Sequence, residues 1–325
     1  MTRLPIGVIG VGALGRHHAR HLATLPEAEL VGLFDVDRTR ARAIAAEHGT
    51  RAFDDLDELL GRVEAVSIAV PTVHHAEVGL HVLRRGIPVL MEKPLAGTLE
   101  EADALIALAD AQGVQLQVGH IERFNPAIRA AAPYLGVPRY VESQRLAPYQ
   151  PRGTDVAVVL DLMIHDLDLI LHLTGGAEPT DVRANGIAVL SPNLDIANAR
   201  VEFAGGAVAN VTASRVARER IRKLRLFQHD GYLSLDLATG TGTFLRMKPG
   251  WQPGTGGELS DAVEMIPLAA PAADALGLEL QSFVHAVRGD RDAVVTGREG
   301  RAALALALRV TGAVEASTQG AFPAT

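Results

Sequence analysis

The sequence predicts two domains. An α/β domain on a doubly wound parallel sheet is expected over residues 1–120, and an α+β domain on a mainly antiparallel open sheet over 121–325. Three observations predict this. Through the first third of the chain, apolar strand-like runs alternate with helical patterns, as βαβ units do. From Val182 onward, strand-like runs follow one another with only short turns between them, which indicates antiparallel pairing. The length, 325 residues, is what two domains need.

The first element is the apolar run Ile6–Ile9, followed by Gly10-x-Gly12-x-x-Gly15 and a helical pattern. Glycines at this spacing permit a tight turn, close approach of backbone to a pyrophosphate, and close packing of helix on strand. The helix N-terminus then offers free N–H groups to phosphates. A second strand, "LVGLFDVD", brings Asp35 to its end, 25 residues after Gly10. A carboxylate there accepts from the adenosine 2′-hydroxyl and repels a 2′-phosphate, which favours NAD, while Arg38 and Arg40 leave NADP possible. Two further strand–turn–helix units follow, and their strands end at Pro71-Thr72 and at Glu92-Lys93-Pro94. Ligands of such sheets sit outside the carboxyl ends of the strands, so Lys93 is expected to face the cofactor.

In the second half, residues 182–190, 196–204, 206–216, 221–230 and 231–238 read as five strands, and 248–261, rich in Gly and Pro, as a loop. The C-terminal stretches "LELQSFVHAVRG" and "GREGRAALALALRVTGAVEAS" read as helices that can pack back on the first domain. The informative element is "DVAVVLDLMIHDLDLILHLTGG", residues 155–176, a helix apolar almost all round and therefore buried. Asp161, His165, Asp168 and His172 form a single polar stripe on it at spacings of 4, 3 and 4, with Asp166 off the stripe. Ionisable groups on a buried helix are costly unless they are paired or line a wet cavity. The stripe fits a metal site, a structural hydrogen-bond ladder, or a general base at His165 oriented by Asp161.

Composition narrows the function. A net charge of -7 and a pI near 5.9 argue against nucleic acid and against an acidic membrane surface. The absence of cysteine excludes disulfides, thiol nucleophiles and thiolate metal centres. The N-terminal apolar run is broken early by Gly and Arg16 and has no cleavage signature, so a cytoplasmic protein is expected.

The glycine turn with His18 after it, "VPTVHHAE", "EKPLA" at Glu92–Ala96, "GHIERFNPAIR" at 119–129 and "DLMIHDLDL" at 161–169 together resemble the Gfo/Idh/MocA oxidoreductase family, in the family's order and across the whole chain. The resemblance implies NAD(P)-dependent oxidation of a sugar or cyclitol hydroxyl without a metal. Its implied catalytic trio is Lys93, Asp161 and His165. It implies cofactor contacts at Gly10, Gly12, Ala13, Leu14, Gly15, Asp35, Arg40, Pro71, Thr72, His75, Glu92 and Lys93. Pro94 is expected to fix the turn after the strand and to keep Lys93 extended. Either Lys93 or His165 can take the hydroxyl proton, with the other holding the oxygen.

Within the family, "VGHIERFNPA" and "TASRVARERIRKLRLFQHDGYLSLD" look most like the branch acting on nucleotide sugars. That implies oxidation of the 3-hydroxyl of a UDP-linked N-acetylhexosamine. Alternatives are a free sugar or inositol, or a cofactor-binding sensor without turnover. Arg123, Asn125 and Arg215 are the candidate substrate residues, Arg215 within a basic set that includes Arg218, Arg220, Arg222, Lys223 and Arg225. A homodimer or homotetramer is expected, built on the open face of the second sheet, with apolar alternation in "VRANGIAVL" and "GAVANVTASRV".

Overall fold

The computed structural model describes residues 2–150, 156–251, 258–271, 273–290 and 295–319. The chain divides into two compact units, one of Met1–Phe124 with Ala273–Leu304, the other of Asn125–Ala272 with Ala305–Thr325.

The first unit is built on six parallel strands: β1 (Leu4–Ile9), β2 (Ala28–Phe34), β3 (Arg51–Phe53), β4 (Ala65–Ile68), β5 (Val89–Glu92) and β6 (Leu116–Gly119). Their order is β3-β2-β1-β4-β5-β6, that of a dinucleotide fold. Ile6, Val8, Val66, Ile68, Val89, Leu90 and Met91 have no exposed surface, because helices cover both faces of a parallel sheet. The strand order reverses between β1 and β4, so a crevice opens where Gly10 follows one strand and Ala69-Val70 follows the other. The helix Gly15–Thr24 packs Ala19 and Leu22 into this core together with Leu280, Phe283 and Val284 of the helix Ala275–Val287.

The second unit carries an eight-stranded sheet: β7 (Tyr140–Leu146), β8 (Pro179–Ile187), β9 (Ile196–Phe203), β10 (Val208–Ser214), β11 (Ile221–Gln228), β12 (Gly231–Asp236), β13 (Thr241–Met247) and β14 (Val263–Ala269). The order is β14-β13-β12-β11-β7-β10-β9-β8, antiparallel throughout except where β10 runs parallel to β7. Ala197, Ala199 and Val201, Leu224 and Leu226, and Leu233 and Leu235 alternate inward, and the helix Ile164–Leu173 packs against the sheet at β7 and β10.

The five strands expected from 182–238 correspond to β8–β12, but the sheet is larger. Strand β7, at its centre, was not expected. Its inward residues are Val141, Ser143 and Arg145, all buried, and two polar side chains in three erase the apolar alternation that marks a strand. Strands β13 and β14 were likewise missed. Of the stretch read as a loop at 248–261, residues 252–257 lie outside the described residues, and Leu259–Ala262 form a short helical turn. The expected helix 155–176 begins later. Residue 155 lies outside the described residues, a wide π-type turn spans Val159–Met163, and the α-helix runs over Ile164–Leu173.

Two buried ion pairs hold the inner side of this sheet. Arg145 on β7 donates to Asp166 through Nε at 2.7 Å and Nη2 at 3.1 Å. Arg215 donates through Nε to Asp195 at 2.9 Å and through Nη2 to the carbonyls of Val156 and Leu194. Asp195 also accepts from the amides of Val189, Leu190 and Ser191 and from the Ser191 hydroxyl. Burial pushes its pKa up. The Ser191 hydroxyl and the three amides outweigh burial and hold the carboxyl far below the ordinary aspartate value.

A carboxyl depressed on folding stabilises the protein above its unfolded pKa of about 3.9, and that contribution is lost as pH falls further, toward the folded value. Asp195→Asn should therefore lower the melting temperature at neutral pH by the equivalent of about 3–5 kcal/mol, the cost of leaving the buried Arg215 charge uncompensated. The gap between variant and wild type should narrow as pH drops below about 4. Thermal unfolding followed between pH 7 and pH 3 checks this, and a gap that does not change with pH refutes it.

Candidate active site

In the first unit the glycine turn is built for close approach. Gly10 has φ of 82°, in the left-handed region, and its N–H donates to Phe34 at the end of β2. A Cβ at Gly15 would lie 1.8 Å from the Gly10 carbonyl oxygen, so only glycine lets the helix start there. A Cβ at Gly12 would meet nothing within 4 Å, and this is the space a pyrophosphate needs above the helix N-terminus. Ala13 and Leu14 are exposed along the same turn. Asp35 is buried at the end of β2, where Oδ2 accepts from the Val11 amide and Oδ1 from the Asp37 amide, both at 2.8 Å. The carboxylate thus ties the turn after β1 to the turn after β2 and keeps lone pairs for a ribose hydroxyl. Arg40 lies 2.9 Å from Asp37 and 3.7 Å from Asp35, so its charge is already offset by two carboxylates. That arrangement favours a diol over a 2′-phosphate. These residues fit NAD.

The lysine turn has a support that the sequence did not single out as a site. His18, one turn into the first helix and buried, places Nδ1 2.7 Å from the Ser67 hydroxyl and Nε2 2.9 Å from Glu92 Oε1. The other oxygen of Glu92 accepts from the Lys93 amide at 3.1 Å. Burial pushes Glu92 up, but the hydrogen bond and charge of His18, with Lys93, prevail and keep it below the ordinary glutamate value, as a carboxylate. The Lys93–Pro94 peptide is cis. Pro94 is buried and Lys93 half-buried. Glu92, expected against the cofactor, therefore has a structural duty to the turn.

His75 has such a duty too. It is buried, with Nδ1 2.8 Å from the Pro94 carbonyl and Nε2 3.0 Å from the Val70 carbonyl, which joins the loop after β4 to the lysine turn. Burial lowers its pKa, against the pull of the two carbonyls. Pro71 is exposed and Thr72 half-buried at the start of the turn that carries His75.

In the second unit the polar stripe is not uniform. Asp161 and His165 are half-buried, Asp168 is sealed in the core and His172 is exposed. The i→i+5 turn over Val159–Met163 holds more residues than an α turn, and Asp161 therefore enters the helix from a different frame than the 4-3-4 spacing assumes. Such turns concentrate at functional sites. Among the described residues no group of three His, Asp or Glu side chains is placed to hold a metal ion. Asp161 lines a pocket of about 250 Å3 together with Arg145, Leu146, Pro148, Leu162, Arg215, Arg220 and Arg222.

The three expected substrate residues have scaffold partners. Arg123 reaches Glu299 at 3.2 Å, and Asn125 caps the helix Pro126–Ala131 through the Ala127 amide while donating to the Leu237 carbonyl. Arg215 lines the pocket but is bound to Asp195. A sequence cannot distinguish an arginine committed to a buried carboxylate from one offered to a ligand, since the carboxylate is close only in space.

A dinucleotide crevice and a braced lysine turn in the first unit, with an arginine-lined pocket at Asp161 in the second, are features of a nicotinamide-dependent dehydrogenase. The chain belongs to the Gfo/Idh/MocA family. Residues 4–120 match the model described as oxidoreductase family, NAD-binding Rossmann fold, and residues 130–234 match the GFO/IDH/MocA C-terminal domain. It is 44% identical to UDP-N-acetylglucosamine 3-dehydrogenase of Acidithiobacillus ferrooxidans over 98% of this chain and 100% of that one. The solved structure of that dehydrogenase, GnnA, superposes with a TM-score of 0.90 at 43% identity, covering 97% of this chain and 99% of the other. The chain is also 33% identical to scyllo-inositol 2-dehydrogenase (NAD(+)) of Bacillus subtilis, over 65% of this chain and 67% of that protein. Among the described residues no helix is long and apolar enough to cross a membrane.

If Glu92 acts by holding the lysine turn, Glu92→Gln should lower kcat about tenfold to a hundredfold, the worth of a charge-assisted hydrogen bond, while NAD affinity stays within about twofold. Fluorescence titration of NAD beside steady-state turnover separates the two. A loss confined to NAD affinity would show that Glu92 serves the cofactor directly.

Proposed function

We propose that the protein oxidises the ring 3-hydroxyl of a UDP-linked N-acetylhexosamine to a ketone, with NAD as acceptor. The observation that carries this reading is the 44% identity, over essentially the full length of both chains, to a protein named for that reaction. The arginine-lined pocket beside Asp161 adds support, because a neutral sugar or cyclitol has no use for it.

NAD, when bound, accepts the hydride that leaves the carbinol carbon. The chain's residues handle the proton and the charge. His165 takes the proton of the 3-hydroxyl at an imidazole nitrogen and passes it to solvent, and Asp161 orients the imidazole and stabilises its charged form. Lys93 donates a hydrogen bond to the oxygen as negative charge develops on it, and so binds the transition state more tightly than the alcohol. Asp35 accepts from the adenosine ribose, and Gly12 leaves room for the pyrophosphate.

Reduction of NAD and of NADP should be measured with UDP-N-acetylglucosamine, free N-acetylglucosamine and myo-inositol, with the ketone trapped. Turnover of the nucleotide sugar and at least about tenfold higher kcat/KM for NAD are expected. Lys93→Ala and His165→Ala should each lower kcat by about 10²–10⁴. Turnover of a free sugar or inositol, with the nucleotide sugar inert, refutes the substrate; near-normal kcat in His165→Ala refutes its role.

A homo-oligomer belongs to the same reading. Tyr140, Phe227, Tyr232, Leu245 and Met265 stand opposite one another across β7, β11, β12, β13 and β14 and form one outward apolar row. The Tyr140–Phe227 and Phe227–Tyr232 ring centroids are 5.5 and 4.6 Å apart, and Met265 is 70% exposed. This row replaces β10 as the candidate interface, since Ala209, Val211 and Ala213 of β10 face inward and are fully buried. Light scattering at micromolar concentration should give a dimer or tetramer that Phe227→Glu weakens. A monomeric wild type removes the idea.

A further inference from the structure

A second carboxylate, Asp37, follows Asp35 past the end of β2. It caps the helix Arg38–Glu47, with Oδ1 accepting from the Arg40 amide at 3.0 Å. Its other oxygen, Oδ2, lies 2.9 Å from Nη2 of the Arg40 guanidinium. The opposite arm of that guanidinium, Nη1, lies 3.7 Å from Oδ2 of Asp35. Arg40 therefore spans the two carboxylates and stands closer to Asp37. Arg38 and Arg42 are turned to a different carboxylate, Asp54, at 3.8 and 3.0 Å. Arg40 is thus the guanidinium placed at Asp35, where the adenosine ribose presents its 2′-oxygen. Its side chain is 47% exposed, so a phosphate arriving from water can reach it.

We propose that Asp37 is a determinant of cofactor choice, acting through Arg40. A carboxylate at the position of Asp35 turns away a 2′-phosphate in dinucleotide folds generally. Asp37 adds a separate effect. It neutralises the guanidinium that stands ready for a 2′-phosphate, and holds it by a charge-assisted hydrogen bond that the phosphate must replace. NAD has a hydroxyl at that place and needs no guanidinium, so it loses nothing by the pairing. Asp35 and Asp37 differ in how freely they can change. Asp35 is buried and bound to the amides of Val11 and Asp37, so its carboxylate is part of the turn itself. The Asp37 side chain is 43% exposed and gives only Oδ1 to the helix cap, so its charge can be removed while the cap is kept. This selectivity rests on NAD being the cofactor and is independent of the sugar oxidised.

The experiment compares the full wild-type chain with Asp37→Asn, Arg40→Gln and the double variant. Binding of NAD, NADP, 5′-AMP and adenosine 2′,5′-bisphosphate is measured by calorimetry, which needs no turnover. Asparagine caps a helix as well as aspartate does, so the substitution removes the charge and keeps the cap. Asp37→Asn should tighten NADP about tenfold with a smaller change in NAD, and adenosine 2′,5′-bisphosphate should gain over 5′-AMP by a similar factor. The gain should shrink in high salt, since the charges concerned are exposed. Measured against Arg40→Gln, the double variant should bind NADP less than about threefold tighter, because Arg40 is what Asp37 releases. A partly unfolded variant loses affinity for both cofactors and cannot imitate a gain in one. Unchanged NADP affinity in Asp37→Asn overturns the proposal, and so does a gain of full size in the Arg40→Gln background. If the wild type prefers NAD and either of these results is found, NAD stands as the cofactor and Asp37 alone drops out of the choice. A wild type that binds the two cofactors equally refutes the NAD reading, and the role of Asp37 falls with it.

Discussion

The first unit depends on one close approach. With no side chain on Gly15, the helix Gly15–Thr24 can begin against the carbonyl of Gly10, where a Cβ would lie 1.8 Å from the oxygen. That contact sets where the helix lies on the sheet. It thereby decides that His18, one turn further, reaches Ser67 on β4 and Glu92 at the end of β5. Glu92 in turn holds the amide of Lys93. A missing side chain in the phosphate turn thus bears on the backbone of the lysine, and the glycine turn and the lysine turn are set by one rigid body of helix and sheet. His75 braces the same turn from the loop after β4. The precision needed to align a hydride donor and acceptor comes from such supports rather than from the reacting residues themselves.

The second unit solves a different problem, which is to keep charge inside a sheet domain without losing the fold. Arg145 on β7 and Arg215, just past the end of β10, each meet a buried carboxylate. Buried pairs of this kind contribute little net stability compared with apolar packing, yet breaking one is costly. Their retention is understandable if they frame a polar pocket that an apolar core could not provide. The wide turn over Val159–Met163 serves the same end, since it brings Asp161 to the pocket at the start of a helix whose next turns are sealed in the core. The apolar helix is the anchor, and its irregular first turn presents Asp161 to the pocket.

The residues expected to carry chemistry stood out in the sequence wherever their signal is local. The glycine spacing, Asp35 at a strand end, Lys93 before a proline and the polar stripe on a greasy helix are each read within a dozen residues or so of chain. The α/β alternation of the first half and the hairpin spacing of the second were legible for the same reason. The roles of Arg123, Asn125 and Arg215 were not, because what decides them is a partner far along the chain: Glu299, the Leu237 carbonyl and Asp195.

By itself, then, the sequence determined the class of both domains and the cofactor turn. These follow from backbone sterics and hydrophobic periodicity, which operate over short spans of chain. Only the tertiary structure decided that β7 is a central strand of the second sheet, that His18 supports the lysine turn, and that Arg145 and Arg215 are committed to buried carboxylates. Those outcomes depend on strand register and on ion pairs between distant residues. The energy of such a pair is set by burial and distance in space, and neither quantity is written in the spacing of residues along the chain.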